Sequence, residues 1–339
     1  MQAVDIDLNN PVFILGCTKS GTTLMRNLLS GHEAFFAIPF ESHFFQNIRY
    51  WVDYDFRRTR PEKLDIAPMK AELCKWVEFS NQVDNPLADG FVKCRIKVNL
   101  IRNRLQKSQI DSIHDLYVCY LNAIYEGVTG SPCAERIRFI EKSVENAEFA
   151  GDMQAMFPGA KFVHSLRNPY ANLVAMRKYI SLNRYGKNSR IPFYRRALKA
   201  MKNSYYFLYR NMRLIKNYQV IRYEDLLADP EKTMAGLADF LGIPFSEKLL
   251  TPLHLGRPWG GNSTSGASFA GIDPGNIDHW KKEITAYEIS LVNDHFPFVV
   301  EDFGYEALPS PRRSPWRRAR GEGLRSYLAN RLYFQLFRE

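Results

Sequence analysis

The 339-residue chain is poor in cysteine and has no long apolar run. Its five cysteines are scattered and lack the C-x-x-C spacing of redox and zinc sites: Cys17, Cys74, Cys94, Cys119 and Cys133. Their scarcity speaks against a disulfide framework and a zinc site, and favours a reducing compartment. No stretch approaches the roughly 18 apolar residues of a membrane span, and the opening residues lack the apolar core of a signal peptide. We therefore expect a cytoplasmic protein.

The net charge of +10 is unevenly distributed. Residues 312–339 hold eight Arg and two Glu, a net charge of +6, which leaves +4 for the preceding 311 residues. A mildly basic body suits a small polyanionic ligand better than a nucleic acid, so we expect no nucleic-acid partner. We divide the chain into a domain of residues 1–307 and a basic tail of residues 308–339. The tail pattern allows an amphipathic helix that docks on the body, on a partner or on an anionic membrane surface.

Short apolar, β-branched runs alternate with longer helical patterns along the body. This alternation predicts one α/β domain, with a mostly parallel central sheet of about five strands flanked by helices. The expected strands are residues 11–16, 91–98, 138–142, 161–167 and 218–224. The expected helices are residues 22–30, 112–126, 146–156, 170–179, 193–212 and 230–242. In such a sheet a ligand binds at the carboxyl ends of the strands.

The stretch "PVFILGCTKSGTTLMRNLLSGH" (residues 11–32) predicts a strand, a phosphate-binding loop and a helix. Gly16 and Gly21 have the G-x-x-x-x-G spacing of a nucleoside-triphosphate loop, which continues with Lys and then Ser or Thr. Here Thr22 and Thr23 follow the second glycine, and the one lysine, Lys19, lies inside the loop. Backbone amides and the helix dipole still favour an anion there.

"TKSGTT" with the following "LMRNLLSGH" resembles the 5′-phosphosulfate loop of sulfotransferases that use 3′-phosphoadenosine-5′-phosphosulfate (PAPS). Later segments resemble the same family in the same order: residues 141–179, 220–245, 258–263 and 279–285. The matches extend from about residue 11 to 305, and the pattern is nearest to tyrosylprotein-type and bacterial-type members. The resemblance implies a P-loop-like fold, PAPS as cosubstrate, 3′,5′-bisphosphoadenosine (PAP) as product and no metal. It assigns to the 5′-phosphate Lys19, Ser20, Gly21, Thr22 and Thr23, with Lys19 near the bridging oxygen.

The resemblance also implies contacts for the rest of the donor. Arg167 is expected on the 3′-phosphate, which suits the planar guanidinium, and Tyr223 against the adenine. Ala175 stands where the family usually has a further phosphate-binding serine. The candidates for replacing that contact, or for closing the late loop over the 3′ end, are Arg177, Asn262, Ser263 and Lys281.

In-line sulfonate transfer requires cations at the leaving oxygen and a base for the acceptor hydroxyl. The resemblance places Lys142 near the transferred sulfonate, although the usual proline after this lysine turn is missing. For the base, "IPFESHFF" (residues 38–45) offers Glu41, as in tyrosylprotein-type and heparan-type members, or its neighbour His43. The choice between them stays open at this point.

Two other functions compete with sulfonate transfer. A nucleotide kinase or NTPase of the same fold would need the missing Gly-Lys-Ser/Thr and a magnesium-binding Asp, and the third alternative is a catalytically inactive nucleotide-binding module. For a sulfotransferase, the acceptor hydroxyl can belong to a peptide tyrosine, a carbohydrate or lipid, or a carrier-bound hydroxyacyl chain. A glutamate base leans towards peptide or glycan.

Overall fold

Five parallel strands form the central sheet of this computed structural model, in the order β2-β3-β1-β4-β5. The structure describes residues 7–48, 65–82, 96–133, 137–185, 194–261 and 271–309. The sheet strands are β1 (Asp7–Gly16), β2 (Phe35–Ala37), β3 (Arg138–Lys142), β4 (Lys161–Leu166) and β5 (Tyr218–Arg222). A separate antiparallel pair consists of β6 (Leu253–His254) and β7 (Arg257–Pro258). The predicted α/β domain with a parallel sheet of about five strands is confirmed.

Helices cover both faces of the sheet. Those before β4 are α1 (Thr22–Leu29), α2 (Phe44–Asn47), α3 (Ile66–Gln82), α4 (Val98–Lys107), α5 (Ile113–Thr129) and α6 (Ala150–Met156). Those after it are α7 (Pro169–Tyr185), α8 (Tyr194–Leu214), α9 (Tyr223–Ala228), α10 (Pro230–Leu241), α11 (Ala286–His295) and α12 (Pro297–Asp302). Among the described residues, none of the helices has the length and apolar character needed to cross a bilayer.

The central strand β1 shows why both faces are covered. Phe13 and Leu15 belong to one apolar core, and Val12 and Ile14 belong to the core on the opposite face. All four side chains are fully buried. A parallel strand that is buried on both faces has a continuous apolar sequence. β1 could be predicted from the sequence for this reason.

One predicted strand is partly wrong. Residues 91–95 of the expected strand 91–98 lie outside the described part of the chain. Ile96 and Lys97 are not in a strand, and Val98 begins α4. The Lys97 amide donates instead to the carbonyl of Gly127 in α5 (2.8 Å). The fifth strand of the sheet is the unpredicted β2, a three-residue edge strand that pairs with β3 alone.

Two other predictions are refined. The expected helix 146–156 begins as a 3₁₀ turn, Val144–Phe149, and continues as α6. At the boundary of the expected tail, the amide of Leu308 donates to the Tyr170 hydroxyl (3.2 Å) and its carbonyl accepts from Asn293 (2.9 Å). The described chain is thus attached to the body through Leu308. Residues 310–339 lie outside the described residues, so the division at residue 307 stays a prediction.

Candidate active site

The candidate residues follow neighbouring strands at one edge of the sheet. In the strand register, Lys142 at the end of β3 lies beside Ile14 of β1, and Gly16 lies beside Ser165 of β4. Leu166 at the end of β4 lies beside Arg222 at the end of β5. Because the strands are parallel, the segments that follow them meet at the carboxyl edge. Across that edge the order is Glu41, Lys142, the loop of residues 16–21, Arg167 and Tyr223.

The loop has a backbone that two glycines make possible. Gly16 has φ 149° and Gly21 has φ 98°. A Cβ on Gly16 would lie 2.5 Å from the Ser165 carbonyl oxygen, and one on Gly21 would lie 2.4 Å from a Tyr223 ring carbon. Lys19 also lies in the left-handed region, with φ 68°. The conformation of the loop is therefore tied to both glycines.

Side chains from β4, from α7 and from the segment between them donate hydrogen bonds to the loop carbonyls. The Ser165 hydroxyl donates to the Ser20 carbonyl (2.7 Å) and the Arg167 guanidinium to the Lys19 carbonyl (3.1 Å). The Asn172 amide donates to the Thr18 carbonyl (2.9 Å). The first amides of α1 have no acceptor within their own helix. The loop carbonyls of Thr18, Lys19 and Ser20 thus accept hydrogen bonds from the surrounding protein. The first amides of α1 are suited to bind an anion.

Two buried polar atoms at the loop fit a bound phosphate. The hydroxyl of Ser20 and Nε of Arg167 are buried and have no hydrogen-bond partner among the described residues. A buried donor without an acceptor costs about 1–3 kcal/mol. A phosphate in the loop would supply an acceptor oxygen to the Ser20 hydroxyl, and a second phosphate against Arg167 would supply one to its Nε.

On the β4–β5 side, Arg167 and Tyr223 form a cation–π pair. The guanidinium carbon lies 4.7 Å from the centre of the tyrosine ring. Burial raises the pKa of Tyr223, an effect that Arg167 only partly offsets, so the phenol is neutral at physiological pH. The pair presents a cation and a planar ring next to the loop.

On the β2–β3 side, Glu41 lies between two cationic side chains. Lys142 Nζ donates to Glu41 Oε1, and His43 Nε2 lies 3.0 Å from Glu41 Oε2. The other ring nitrogen of His43, Nδ1, lies 3.6 Å from Glu145 Oε2. The Lys142 side chain is 3% exposed and that of Glu41 is 29% exposed. A carboxylate with access to solvent is thus held against a buried ammonium.

The charges of this cluster shift its pKa values. Burial acts to raise the pKa of Glu41, but Lys142 and His43 together outweigh it and hold that pKa well below its usual range. Burial acts to lower the pKa of His43, but Glu145 and Glu41 outweigh it and raise the pKa to about 9. At neutral pH, Glu41 is therefore a carboxylate and His43 an imidazolium.

A buried carboxylate fixes the backbone around this cluster. Glu141 is fully buried and accepts hydrogen bonds from the backbone amide (3.2 Å) and the hydroxyl (2.7 Å) of Ser42. It also accepts from the Ser143 hydroxyl (2.6 Å) and from the side-chain amide of Asn146. The Ser143 hydroxyl in turn accepts from the His43 amide (3.2 Å). The turn after Lys142 lacks proline and is anchored by Ser143 instead.

The cluster also has residues that the sequence reasoning missed. Glu145 is one, and Glu141 is another. Trp76 of α3 is the third: its Nε1 donates to the Glu41 carbonyl (2.8 Å), and its ring packs edge-on against His43 at 4.8 Å. Only the acidic character of "EKSVEN" (residues 141–146) could have drawn attention to the two glutamates.

Glu41, His43 and Glu145 also have a spacing found in metal sites, because each offers a nitrogen or oxygen within 4.8 Å of the others. In the structure His43 pairs with both carboxylates. The Lys142 ammonium already pairs with Glu41. We therefore describe the cluster as a set of ion pairs.

Two of the expected 3′-phosphate contacts have partners of their own. Arg177 Nη1 lies 3.0 Å from an oxygen of the fully buried Glu288. Lys281 is exposed and pairs with Asp278 at 3.0 Å. Asn262 and Ser263 lie outside the described residues. The roles of all four side chains towards a donor stay predictions.

The fold and the loop define a P-loop-like α/β protein, with the loop at the carboxyl edge of its parallel sheet. Residues 11–247 match the model of the sulfotransferase family, and the chain belongs to that family. The expected activity, transfer of a sulfonate group, is thereby confirmed, and the kinase alternative is not.

Solved structures show the same fold. The sulfotransferase domain from the curacin biosynthetic pathway is 23% identical, with a TM-score of 0.57 over 91% of this chain and 100% of that one. The sulfotransferase domain of the Synechococcus PCC 7002 olefin synthase is 22% identical, with a TM-score of 0.54 over 91% of this chain and 99% of that one. A comparison with curated protein sequences gives no match.

Proposed function

We propose that this sulfotransferase takes its sulfonate from PAPS, with Glu41 as the base that accepts the proton of the acceptor hydroxyl. The observation that carries the proposal is the order of side chains across the sheet edge. Glu41 and Lys142 follow the strands on one side of the loop, and Arg167 and Tyr223 follow those on the other. A donor whose phosphosulfate lies in the loop then has Arg167 and Tyr223 on one side for its nucleoside, and Glu41 and Lys142 on the other side for the acceptor.

For the donor, the loop residues Ser20–Thr23 and Lys19 bind the 5′-phosphate, and Arg167 binds the 3′-phosphate. The buried Ser20 hydroxyl and Arg167 Nε, which have no partner among the described residues, support this assignment. Tyr223 contributes a ring face for the adenine. When bound, the donor supplies a sulfonate on a phosphate leaving group, so the residues need only position it and neutralise charge.

Glu41 is a better base than His43 because of their charges. His43, with its pKa raised to about 9, already holds a proton at neutral pH, whereas Glu41 is ionised. Glu41 is a weak base while two cations hold it. When Lys142 turns its ammonium towards the sulfonate, Glu41 loses one of these cations, its pKa rises, and it accepts the proton more readily. Lys142 thus couples donor binding to activation of the base.

The acceptor side carries aromatic residues. Phe79 of α3 is 55% exposed, and its ring lies 5.4 Å from that of Trp76, which packs against His43. Such a surface beside the base favours a hydroxyl carried by an apolar or planar group. We therefore rank peptide tyrosine and a carrier-bound hydroxyacyl chain ahead of a carbohydrate.

The test combines donor binding with sulfonate transfer. PAP without magnesium should stabilise the protein against heat more than ATP with magnesium does, and EDTA should leave transfer from PAPS unchanged. Transfer of ³⁵S-sulfonate is then screened over a tyrosine peptide, a hydroxyacyl thioester and an oligosaccharide.

Glu41→Gln tests the base in the same assay. Loss of a general base should lower kcat by about 10²–10⁴-fold, while PAP binding by calorimetry stays within about twofold. Glu33→Gln is the matched control, because Glu33 is exposed and pairs with Lys248 on the surface. Full activity of Glu41→Gln would eliminate Glu41 as the base, and a stronger response to ATP with magnesium would eliminate PAPS as the donor.

A further inference from the structure

His43 is placed between two carboxylates in a way that sequence reasoning did not foresee. Its Nε2 faces Glu41 Oε2 at 3.0 Å, and its Nδ1 faces Glu145 Oε2 at 3.6 Å. The Nε2 contact has hydrogen-bond length, and the Nδ1 contact has the length of an ion pair. A ring with a carboxylate at each nitrogen is stabilised when it carries a positive charge, so the geometry suits an imidazolium between the two carboxylates.

The ring cannot turn away easily, because its backbone and its face are both held. His43 has φ 43°, a left-handed conformation that is uncommon for a residue other than glycine. Its amide donates to the Ser143 hydroxyl (3.2 Å), and its carbonyl accepts from the Asn47 side chain (2.8 Å). The Trp76 ring packs edge-on against the imidazole at 4.8 Å. Strained backbone held in this way is frequent at functional sites.

The charges around His43 come from three elements. Glu41 approaches from the segment after β2, Glu141 and Lys142 from β3, and Glu145 from the 3₁₀ turn that follows β3. Lys142 and Glu41 pair with each other. The Glu141 carboxylate accepts hydrogen bonds from Ser42, Ser143 and Asn146. The negative charge of Glu41 is neutralised by the positive charge of Lys142. Glu145 therefore supplies the negative charge that neutralises the His43 imidazolium.

Glu145 is also near the donor loop. Its charge contributes to raising the pKa of Cys17, the first residue after Gly16, to about 12, although burial of the thiol is the larger cause. The pKa of Glu145 is raised, chiefly by burial and also by the charge of Glu41, while His43 opposes the rise. Because 42% of the Glu145 side chain is exposed, its carboxyl group also keeps contact with water beside His43.

We propose that Glu145 is a positioning residue for sulfonate transfer, which acts through His43 to hold the Glu41 carboxylate while Lys142 engages the sulfonate. The inference rests on the proposed function of Glu41. In the proposed mechanism, Lys142 leaves Glu41 when the donor binds, and His43 is the cation that stays. Glu145 then keeps His43 charged and aimed at Glu41, and it touches neither donor nor acceptor itself.

The test uses Glu145→Gln, which keeps the size of the side chain and removes its charge. We expect kcat to fall about tenfold, equivalent to about 1.4 kcal/mol, with the KM for PAPS within about twofold. The high-pH limb of the kcat profile should also move to lower pH, because His43 loses its proton more easily. Glu145→Asp should recover most of the activity, and Glu33→Gln is the control that changes nothing.

A second variant, His43→Gln, separates positioning from a merely structural role. If Glu145 acts through His43, the high-pH limb disappears in His43→Gln, and adding Glu145→Gln lowers kcat by no more than about twofold further. Fully additive losses would overturn the proposal. An unchanged kcat and pH profile in Glu145→Gln would overturn it as well.

A third readout is independent of activity. The chain has seven histidines, and the NMR signal that is lost in His43→Gln identifies His43 in a pH titration. Glu145→Gln should lower the pKa of that imidazole by at least half a unit, and an unchanged titration would refute the contact. If wild type transfers no sulfonate but this shift occurs, the proposed function fails while the His43–Glu145 pairing stands. Should His43→Gln fail to fold, the pH profile of Glu145→Gln still decides.

Discussion

Arg177→Ala should destabilise the fold and leave donor affinity nearly unchanged. The sequence offered Arg177 as a substitute contact for the 3′-phosphate. In the structure its Nη1 lies 3.0 Å from Oε2 of Glu288, a residue of α11 with no exposed surface. The same oxygen accepts from the amide (2.9 Å) and hydroxyl (3.0 Å) of Thr285, which caps α11. The guanidinium is thus the counter-charge of a buried helix cap.

The size of the effect follows from the burial of Glu288. Removing one partner of a buried ion pair costs about 3–5 kcal/mol, because the other charge is left uncompensated. At about 2 cal/mol/K of unfolding entropy per residue, this loss corresponds to a fall in Tm of about 4–7 °C for a chain of this length. Burial raises the pKa of Glu288 and Arg177 lowers it. Without Arg177 that pKa rises further, so the deficit should shrink as the pH falls and Glu288 takes up a proton.

Thermal unfolding at pH 7.5 and pH 5 measures the deficit, and calorimetry with PAP measures donor affinity. Arg213→Ala, at an exposed position of α8, is the control and should change stability by less than about 0.5 kcal/mol. In the double variant Arg177→Ala/Glu288→Gln the buried charge is gone and a glutamine retains the capping geometry. At least half of the lost stability should return. The reasoning is refuted if Arg177→Ala keeps its Tm within about 2 °C and binds PAP more than tenfold more weakly.

Two further predictions concern the loop and the His43 cluster. Gly21→Ala should weaken PAP binding by at least tenfold in calorimetry, because φ is 98° and the new Cβ would lie 2.4 Å from the Tyr223 ring. Gly151→Ala, where a Cβ meets nothing within 4 Å, is the control, and wild-type affinity in Gly21→Ala would contradict the loop geometry. The second is a loss of stability at high pH. The pKa of His43 is raised from 6.5 to about 9, so its contribution is complete below pH 6.5 and is lost as the pH rises through 9. Urea unfolding should show a decrease of at most about 3 kcal/mol over this range, and an equal decrease in His43→Gln would disprove its origin.

The fold was predictable where the signal is local. β1 contains an apolar run that is buried on both faces, so it can be recognised without knowledge of its neighbours. Local residues mark both ends of helix α10. The Asp229 side chain accepts a hydrogen bond from the Lys232 amide (3.1 Å) at its start, and Gly242, with φ 70°, ends it. β2 was not predictable, because a three-residue edge strand is set by its pairing with β3.

The candidate site likewise has parts that local sequence predicts and parts that depend on long-range contacts. The loop was found because the spacing of its glycines is a local requirement of the backbone. Glu141, by contrast, orders a residue 99 positions away, Ser42, and Trp76 reaches the Glu41 carbonyl across 35 positions. Contacts of this range leave no pattern in one sequence. Nor can a sequence tell which arginine faces a ligand and which, like Arg177, neutralises a buried carboxylate.

The placement of Glu41 depends more on β3 than on its own strand. β2 ends at Ala37, and three residues separate it from Glu41, of which the first, Ile38, still donates its amide to the Ile140 carbonyl of β3 (2.9 Å). Two residues of β3 hold Glu41 in place. Lys142 pairs with the Glu41 carboxylate, and Glu141 accepts hydrogen bonds from the amide and the hydroxyl of the next residue, Ser42. β3 also pairs with β1, which carries the loop. One strand thus sets the distance between the proposed base, the proposed sulfonate lysine and the donor site, and in-line transfer depends on that distance being fixed.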